Sequence, residues 1–478
     1  MIRRILSNVF ETTVQNEGVV HHKPFTKTET IPFEWLTNVA PCFPVKSSNI
    51  SILNGPHQFY DVLLRYSETA SERITLASLY FGNGKLEKEI VERIMSNINF
   101  KEKKMNVNIL LDYTRGSRYS DNSRTALLPL LKQNSENCRI SLYHTPVLRG
   151  VLKKVLPHRW NELLGLQHMK LYIFDDTLLI SGANLSNDYF TNRQDRYFLI
   201  KDKKICNFYS GLIQRVQMFS FAMDSNNNIN LNSKWQVSPF EGDKKRFVEE
   251  AGELVDSYLL EAKEEQNSHK TEGNDTWIFP LVQMGQLGVE QDALVTEKLM
   301  RKAPSNSKLK IATGYFNLTQ DYMNNLIHNT EADCDILMAH PKANGFLGAK
   351  GIAGDIPYAY CLIAQKFKKK FKKFGQEERI SLIEYLRDGW TYHGKGLWYY
   401  PPNAKYPCLT LIGSPNFGER SVKRDLETQL AILTENEELQ RKMHEECQSL
   451  YKFGLPMEEN RAVPKWVHGF VYIFRTYF

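Results

Sequence analysis

Residues 166–175 read LQHMKLYIFD and residues 178–184 read LLISGAN; residues 392–398 read YHGKGLW and residues 409–416 read LTLIGSPN. Both halves carry the same plan: a histidine and a lysine two positions apart, an apolar run, then a second apolar run that closes on glycine and asparagine. In extended chain, positions i and i+2 point to one face, so His168 projects with Lys170 and His393 with Lys395, while the residues between them face the core. Both pairs are expected on strand-like segments. One such pair arises by chance in many proteins; two copies in the same context point to a single catalytic site shared by two halves. Eleven residues beyond Asn184 stands Asp195, and eleven beyond Asn416 stands Glu427, each among basic residues (Arg193 and Arg196; Arg420, Lys423 and Arg424). A carboxylate recurring at that offset could hold an imidazole tautomer, as the acid of a catalytic triad does.

Working outward, the order of elements repeats. Residues 73–82 (RITLASLYFG) and 308–316 (KLKIATGYF) open the two halves as apolar strands. Helix-like stretches follow at Lys85 to Ile94 and Thr319 to Ile327, then buried strands at Val107 to Leu111 and Cys334 to Met338. Third strands begin with the same four residues, at Arg139 to Leu142 and Arg379 to Leu382. Strands alternating with helices predict an α/β fold. The expected organisation is a flexible terminus over 1–30, an N-terminal lobe over 31–223, a linker over 224–276, a C-terminal lobe over 277–460 and an aromatic tail over 461–478. Within the linker, Asp224 to Asn232 and Gln266 to Asp275 read as loops, and Lys244 to Glu265 as an amphipathic connector helix.

With 42% hydrophobic and 24% charged residues over 478 positions, the chain is long enough for two or three real cores. A net charge of +7 is mild and favours an acidic partner without choosing one. The seven cysteines lie far apart with no CxxC pair, which argues against a disulfide framework or a zinc knuckle and for a reducing compartment. No window has the eighteen or so apolar residues of a membrane span. Met1 to Phe10 joins Arg3 and Arg4 to apolar residues without an acid, like a short mitochondrial presequence or a frayed basic end. Residues 366–374 (KFKKKFKKF) would set Phe367, Phe371 and Phe374 on one helix face beneath six lysines, suited either to anionic lipid or to packing in a core. Trp466 to Phe478 is crowded with aromatics and has the same two readings.

The pattern of HxK, four residues, aspartate, six residues and Gly-Ser-x-Asn resembles the phospholipase D superfamily. The first half keeps His168, Lys170, Asp175 and Gly182 in register; the second keeps His393, Lys395, Gly413, Ser414 and Asn416, with Tyr400 at the aspartate position. Longer runs, including residues 111–118 (LDYTRGSR), 189–197 (YFTNRQDRY) and 411–418 (LIGSPNFG), are similar to the eukaryotic mitochondrial phosphatidylglycerophosphate synthase branch. This resemblance spans roughly Ile31 to Leu455. It implies two phospholipase D-like lobes, each a mixed sheet flanked by helices, packed as a pseudo-two-fold bilobal enzyme with the active site between them. It also implies transfer of the phosphatidyl group of CDP-diacylglycerol to glycerol 3-phosphate, at a mitochondrial membrane.

A phosphodiester repels nucleophiles, so the site must supply positive charge that does not react. Lys170 and Lys395 serve as point charges, with Asn184, Asn416 and Ser414 as further donors. No cofactor or metal is expected, and no ligand cluster with metal spacing is present in the sequence. One histidine would form a phosphohistidine while the other moves protons; by the resemblance His168 is the nucleophile and His393 the base, with Asp195 and Glu427 orienting them. Arg115, Arg118 and Arg124, in a loop of glycine and serines, and Arg193, Lys423 and Arg424 are candidate phosphate binders. So are Lys342 and Lys350, which flank the glycine-rich residues 345–354. Expected partners are CDP-diacylglycerol, glycerol 3-phosphate and an anionic membrane surface, but not nucleic acid. Serine as acceptor, a phosphodiesterase or nuclease in which water replaces the alcohol, and a binding module with a dead site are the alternatives.

Overall fold

The computed structural model of the chain describes residues 25–155, 161, 163–265, 273–349 and 354–477. Two mixed sheets organise it. In the N-terminal sheet the strands lie in the order Phe221–Met223, Cys138–Tyr143, Asn106–Asp112, Arg73–Ala77, Leu171–Phe174, Thr177–Ser181, Tyr197–Lys201 and Ile50–Leu53. The C-terminal sheet runs Gly454–Pro456, Ile380–Tyr385, Asp333–Ala339, Lys308–Thr313, Gly396–Tyr400, Leu409–Gly413, Leu426–Thr434 and Thr276–Met284. Position for position the pairings agree: the first is antiparallel, the next two parallel, the remaining four antiparallel. The α/β bilobal expectation therefore holds down to strand polarity.

Strands Leu171–Phe174, Thr177–Ser181, Gly396–Tyr400, Leu409–Gly413, Leu426–Thr434 and Thr276–Met284 read as largely apolar runs because they are buried on both faces. Leu171, Ile173, Leu178, Ile180, Phe198 and Ile200 point to a central core, together with Trp398, Tyr400, Ile412, Leu430 and Ile432 of the other sheet. The alternate residues Tyr172, Phe174, Leu179, Tyr197 and Leu199 point outward under helices Pro56–Thr69, Lys85–Ser96 and Ser123–Gln133. Leu397, Tyr399, Leu409, Leu411, Ala431 and Leu433 do the same beneath the outer helices of the C-terminal lobe. Helices Lys203–Met218, Lys244–Glu265 and Glu437–Tyr451 complete the central layer, so the connector helix is a core element of both lobes. The seven cysteines are buried as free thiols.

Two expectations are corrected here, and one open reading is decided. Residues 31–45 do not open the N-terminal lobe: Phe43–Val45 pairs with Thr276–Met284, and Phe25, Phe33 and Leu36 pack in the outer C-terminal core. Their apolar side chains find Trp277 and Tyr399 across edge-on contacts of 4.9 Å, a larger gain than a free end would offer. The stretch Asp224 to Asn232 is a hairpin, with Ile229–Leu231 pairing back on Phe221–Met223. Within residues 366–374, Phe367 and Phe371 are core residues and Lys368 and Lys372 pair with Glu459, so of the three phenylalanines only Phe374 is exposed. The terminal residues 1–10 and most of 266–275 lie outside the described residues.

A buried ion pair behind the histidines also joins the lobes. Arg196 of the N-terminal lobe donates to both Glu446 oxygens at 2.8 and 2.9 Å, to the Leu411 carbonyl at 2.7 Å and to the Lys395 carbonyl at 3.2 Å, with its guanidinium over the Trp398 ring. Removing one member strands the other in a dry interior. Arg196→Ala is expected to lower stability by about 3–5 kcal/mol in chemical denaturation; a loss below about 1 kcal/mol would show that the lobes are held without it.

Candidate active site

Neither His-x-Lys pair lies within a strand. Each occupies the short extended gap just before one, Leu171–Phe174 in the first lobe and Gly396–Tyr400 in the second, at the carboxyl ends of the neighbouring parallel strands. What straightens the gap is the opposite lobe. Gln167 forms a parallel bridge with Leu426, so that His168 N donates to the Leu426 carbonyl at 2.8 Å. Thr391 and Tyr392 pair in parallel with Arg193 and Gln194, and His393 N donates to the Gln194 carbonyl, also at 2.8 Å. The residue after each bridge is the predicted acid.

The acids therefore cross over. His168 Nδ1 lies 3.0 Å from both oxygens of Glu427, from the C-terminal lobe, and His393 Nδ1 lies 2.7 Å from Asp195 Oδ2, from the N-terminal lobe. Since a carboxylate only accepts, Nδ1 carries the proton in each ring and Nε2 holds a lone pair. Tyr189 donates its hydroxyl to His393 Nε2 at 3.3 Å and accepts from Asn184 at 3.1 Å. Among the described residues, His168 Nε2 makes no hydrogen bond. Lys170 donates to the His168 carbonyl at 2.6 Å; Lys395 donates to that of His393 at 2.8 Å and sits 2.7 and 3.1 Å from its ring nitrogens. Gly182 is needed for closeness, because a Cβ there would stand 2.7 Å from Asp195 Oδ1 and 3.1 Å from the Lys395 chain.

Burial governs the electrostatics. It pushes both imidazoles well below their ordinary range, helped by Lys170 beside His168 and Lys395 beside His393, so both are neutral at pH 7. Burial raises Asp195 to about 6 and lifts Glu427, and it lowers Lys395 to about 8 and Lys170 well below its usual value. Lys395 acts on His168 and Lys170 across the lobes, and His168 and Lys170 act on His393. The two dyads form one electrostatic site.

The remaining predicted residues divide. Ser414 Oγ exchanges hydrogen bonds with the backbone of Thr428, next to Glu427. Asn416 Oδ1 is buried and, among the described residues, has no partner; it lines a small cavity with Tyr315, Phe346, Tyr360 and Arg420. Arg115, stacked on Tyr80 at 4.2 Å, and Lys342 occupy equivalent positions just past the parallel strands Asn106–Asp112 and Asp333–Ala339, on the side of the histidines. Arg118 lies over the Tyr119 ring in the same loop, and Arg193 lies over the Tyr189 ring. Arg124 is corrected: it clamps Asn227 through its side chain and carbonyl, away from the site. Lys423 pairs with Glu419 in solvent and Arg424 donates to the Thr476 carbonyl, so both are structural. Lys350 lies outside the described residues.

Asp175 is also corrected. It has φ 49° in the tight turn after Leu171–Phe174, and its carboxylate accepts from the backbone of Ser71, Glu72 and Arg73 at the end of the sheet remote from His168. It shapes a turn. Sequence reading missed Tyr189, Asp425 and Arg420. Asp425 brings a carboxylate oxygen within 4.8 Å of the His168 and Glu427 ligand atoms, a potential metal grouping invisible in linear spacing. Lys170, Lys395 and Arg420 beside it oppose a divalent cation. Tyr189 stood within a quoted motif and Arg420 was named only as basic context for Glu427, but only the crossover brings them to the rings.

Residues 63–216 match the family described as "Cardiolipin synthase, PLD-like domain". Over 450 residues the chain is 46% identical to the mitochondrial CDP-diacylglycerol–glycerol-3-phosphate 3-phosphatidyltransferase of Gallus gallus, covering 88% of this chain and 80% of that one. The enzyme of the same name from Homo sapiens is 42% identical over 479 residues, with 93% and 86% covered. Among solved structures, phosphatidylserine synthase of Haemophilus influenzae Rd KW20 superposes with a TM-score of 0.68 at 20% identity, over 94% of this chain and 97% of that one, a likeness of fold. The chain belongs to the family of CDP-diacylglycerol–glycerol-3-phosphate 3-phosphatidyltransferases, within the phospholipase D superfamily.

Proposed function

We propose that this enzyme moves the phosphatidyl group of CDP-diacylglycerol to glycerol 3-phosphate in mitochondria, through a covalent adduct on His168. The observation that carries the proposal is the crossed pair of dyads: two neutral imidazoles, each fixed by a carboxylate of the other lobe, with two buried ammoniums between them. His168 Nε2, which makes no hydrogen bond among the described residues, attacks phosphorus; the N–P bond forms as the P–O bond to CMP breaks, and CMP leaves with the electron pair as a phosphate oxyanion. The hydroxyl of glycerol 3-phosphate then attacks from the opposite side, its proton passes to His393 Nε2, and the N–P electrons return to His168. Lys170 and Lys395 stabilise the phosphoryl oxygens in both steps, and the incoming anion keeps both ammoniums charged in spite of their burial. Asn184 and Asn416 add donors, while Arg115 and Lys342 at the rim suit the anionic acceptor. Positive charge already fills the role that a metal would play.

The lipid substrate calls for a membrane surface, and we place it at helix Lys465–Phe474. That helix buries Val467 and Val471 yet turns Trp466, Tyr472 and Ile473 to solvent, with Lys465 and no acid. Apolar on both faces but ten residues long, it suits an interfacial position; among the described residues no helix is long and apolar enough to cross a membrane. Its end is fastened to the site: Arg475 donates to the Leu318 carbonyl and accepts from Asn317, a lining residue of the cavity that holds Asn416. Headgroup and chains can thus stay in the inner-membrane leaflet while the diphosphate reaches the histidines.

With labelled CDP-diacylglycerol and no acceptor, wild-type enzyme should retain about one phosphatidyl group per chain and His168→Ala none; label on the variant would remove His168 from its role. Added glycerol 3-phosphate should discharge the adduct, and serine or water should not. Rate should rise through about pH 6 as the Asp195 carboxyl ionises and fall above about pH 8 as Lys395 loses its proton. A profile flat from pH 5 to pH 10 would contradict that assignment. Trp466→Ser/Tyr472→Ser/Ile473→Ser should weaken sedimentation with cardiolipin-containing vesicles at least about tenfold, since three buried apolar side chains are worth several kcal/mol; unchanged sedimentation would move the membrane face elsewhere.

A further inference from the structure

The two halves share an ion pair whose charges are exchanged. In the N-terminal lobe Asp188, four residues after Asn184, pairs with Arg193 at 3.1 Å; in the C-terminal lobe Arg420, four residues after Asn416, pairs with Asp425 at 2.8 Å. The second member of each pair stands two residues before the crossed acid. It also makes the same junction, reaching the residue two before the opposite histidine: Asp425 Oδ1 accepts from Leu166 N at 3.0 Å, and Arg193 Nε donates to Thr391 Oγ1 at 3.0 Å. One register is thus built twice with opposite polarity. We infer that this exchange makes the paired imidazoles chemically unequal, Asp425 supporting positive charge on His168 and Arg193 opposing it on His393, so that each is a positioning residue for one half-reaction. The inference rests on the two-step reading above.

The surroundings agree in sign. Facing His168 are the carboxylates Glu427 and Asp425 and the cations Lys170, Arg420 and Lys395. Facing His393 are the carboxylate Asp195, the cations Lys395, Arg193 and Lys170, and the phenols of Tyr189 and Tyr315. Asp425 raises the proton affinity of His168, whereas Arg193 lowers that of His393. An imidazole phosphorylated on Nε2 while its Nδ1 keeps a proton is cationic, so two carboxylates favour the adduct. A base must be neutral when the hydroxyl arrives, and a nearby guanidinium holds it so. Arg193 acts through the Tyr189 ring, over which it lies at 4.7 Å.

Rapid-quench measurements on the full chain in mixed micelles separate the steps: CMP released in a burst without acceptor, then loss of the adduct when glycerol 3-phosphate is added. Asp425→Asn should slow the burst about tenfold or more and leave discharge as fast or faster, because a less stabilised cationic adduct is a better donor. Arg193→Gln should slow the burst less than Asp425→Asn does and move the acid limb of discharge, which the hydrogen-bonded Asp195–His393 pair sets, up by about one pH unit; Arg193→Lys should restore it. Where Asp425→Asn fails to fold, the exchange Asp188→Arg/Arg193→Asp keeps an ion pair at the junction and should move the same limb further than Arg193→Gln. Equal slowing of both steps with unmoved limbs would overturn the inference and leave the covalent mechanism intact. Absence of any burst from the wild type would overturn both.

Discussion

The catalytic centre exists only because each lobe straightens the other's reactive segment. His168 and His393 sit in gaps between strands; Gln167 is tied to its own lobe through Asp112 and the Ser78 carbonyl, but the constraint that both segments share comes from the opposite lobe. Parallel bridges at Gln167–Leu426 and Tyr392–Gln194 supply that constraint with backbone hydrogen bonds, which are insensitive to side-chain drift. The same bridges set the register of the acids, since Glu427 and Asp195 each follow a bridged residue. A lobe alone would have an imidazole without its carboxylate and a carboxylate without its imidazole. Arg196, reaching from beside Asp195 to the Lys395 carbonyl and Glu446, locks that register from behind.

Burial is the second half of the design. A histidine in water near pH 7 is partly protonated and a lysine ammonium is well hydrated; here both lose their water, so the rings remain nucleophilic and the ammoniums interact strongly with whatever anion enters. The cost is that buried charges need partners before substrate arrives. Alternating signs meet that need: Asp195 with Lys395, Glu427 near Lys170, Asp425 with Arg420, Asp188 with Arg193.

Much of this was legible in the sequence because duplication exposes it. Two copies of a strand order, of His-x-Lys and of an acid at one offset predicted the lobes and the site that lies between them. Crossed pairing was not legible, since the eleven-residue offset suggests an acid serving its own half, and only the bridges reveal the exchange. Residues 31–45 misled for a related reason: chain order assigned them to the nearer lobe, whereas Phe25, Phe33 and Leu36 follow the available apolar surface around Trp277 and Tyr399. The reading of residues 366–374 stayed open until packing decided it, because one spacing of phenylalanines serves a lipid face and a core equally well.

Asp175 shows how a motif position can be structural. In the first lobe a two-residue turn joins Leu171–Phe174 to Thr177–Ser181, and an aspartate there tolerates φ 49° while its carboxylate collects three backbone N–H groups. In the second lobe the connection from Gly396–Tyr400 to Leu409–Gly413 is longer and passes through Pro401 and Pro402. No tight turn remains to be capped there, so Tyr400 takes the position and its hydroxyl turns instead to His444 Nδ1. The loss of the aspartate from one copy, with both His-Lys pairs kept, follows from its place at the far end of the hairpin: chemistry constrains the end that meets the other lobe, and only local backbone geometry constrains the end that does not.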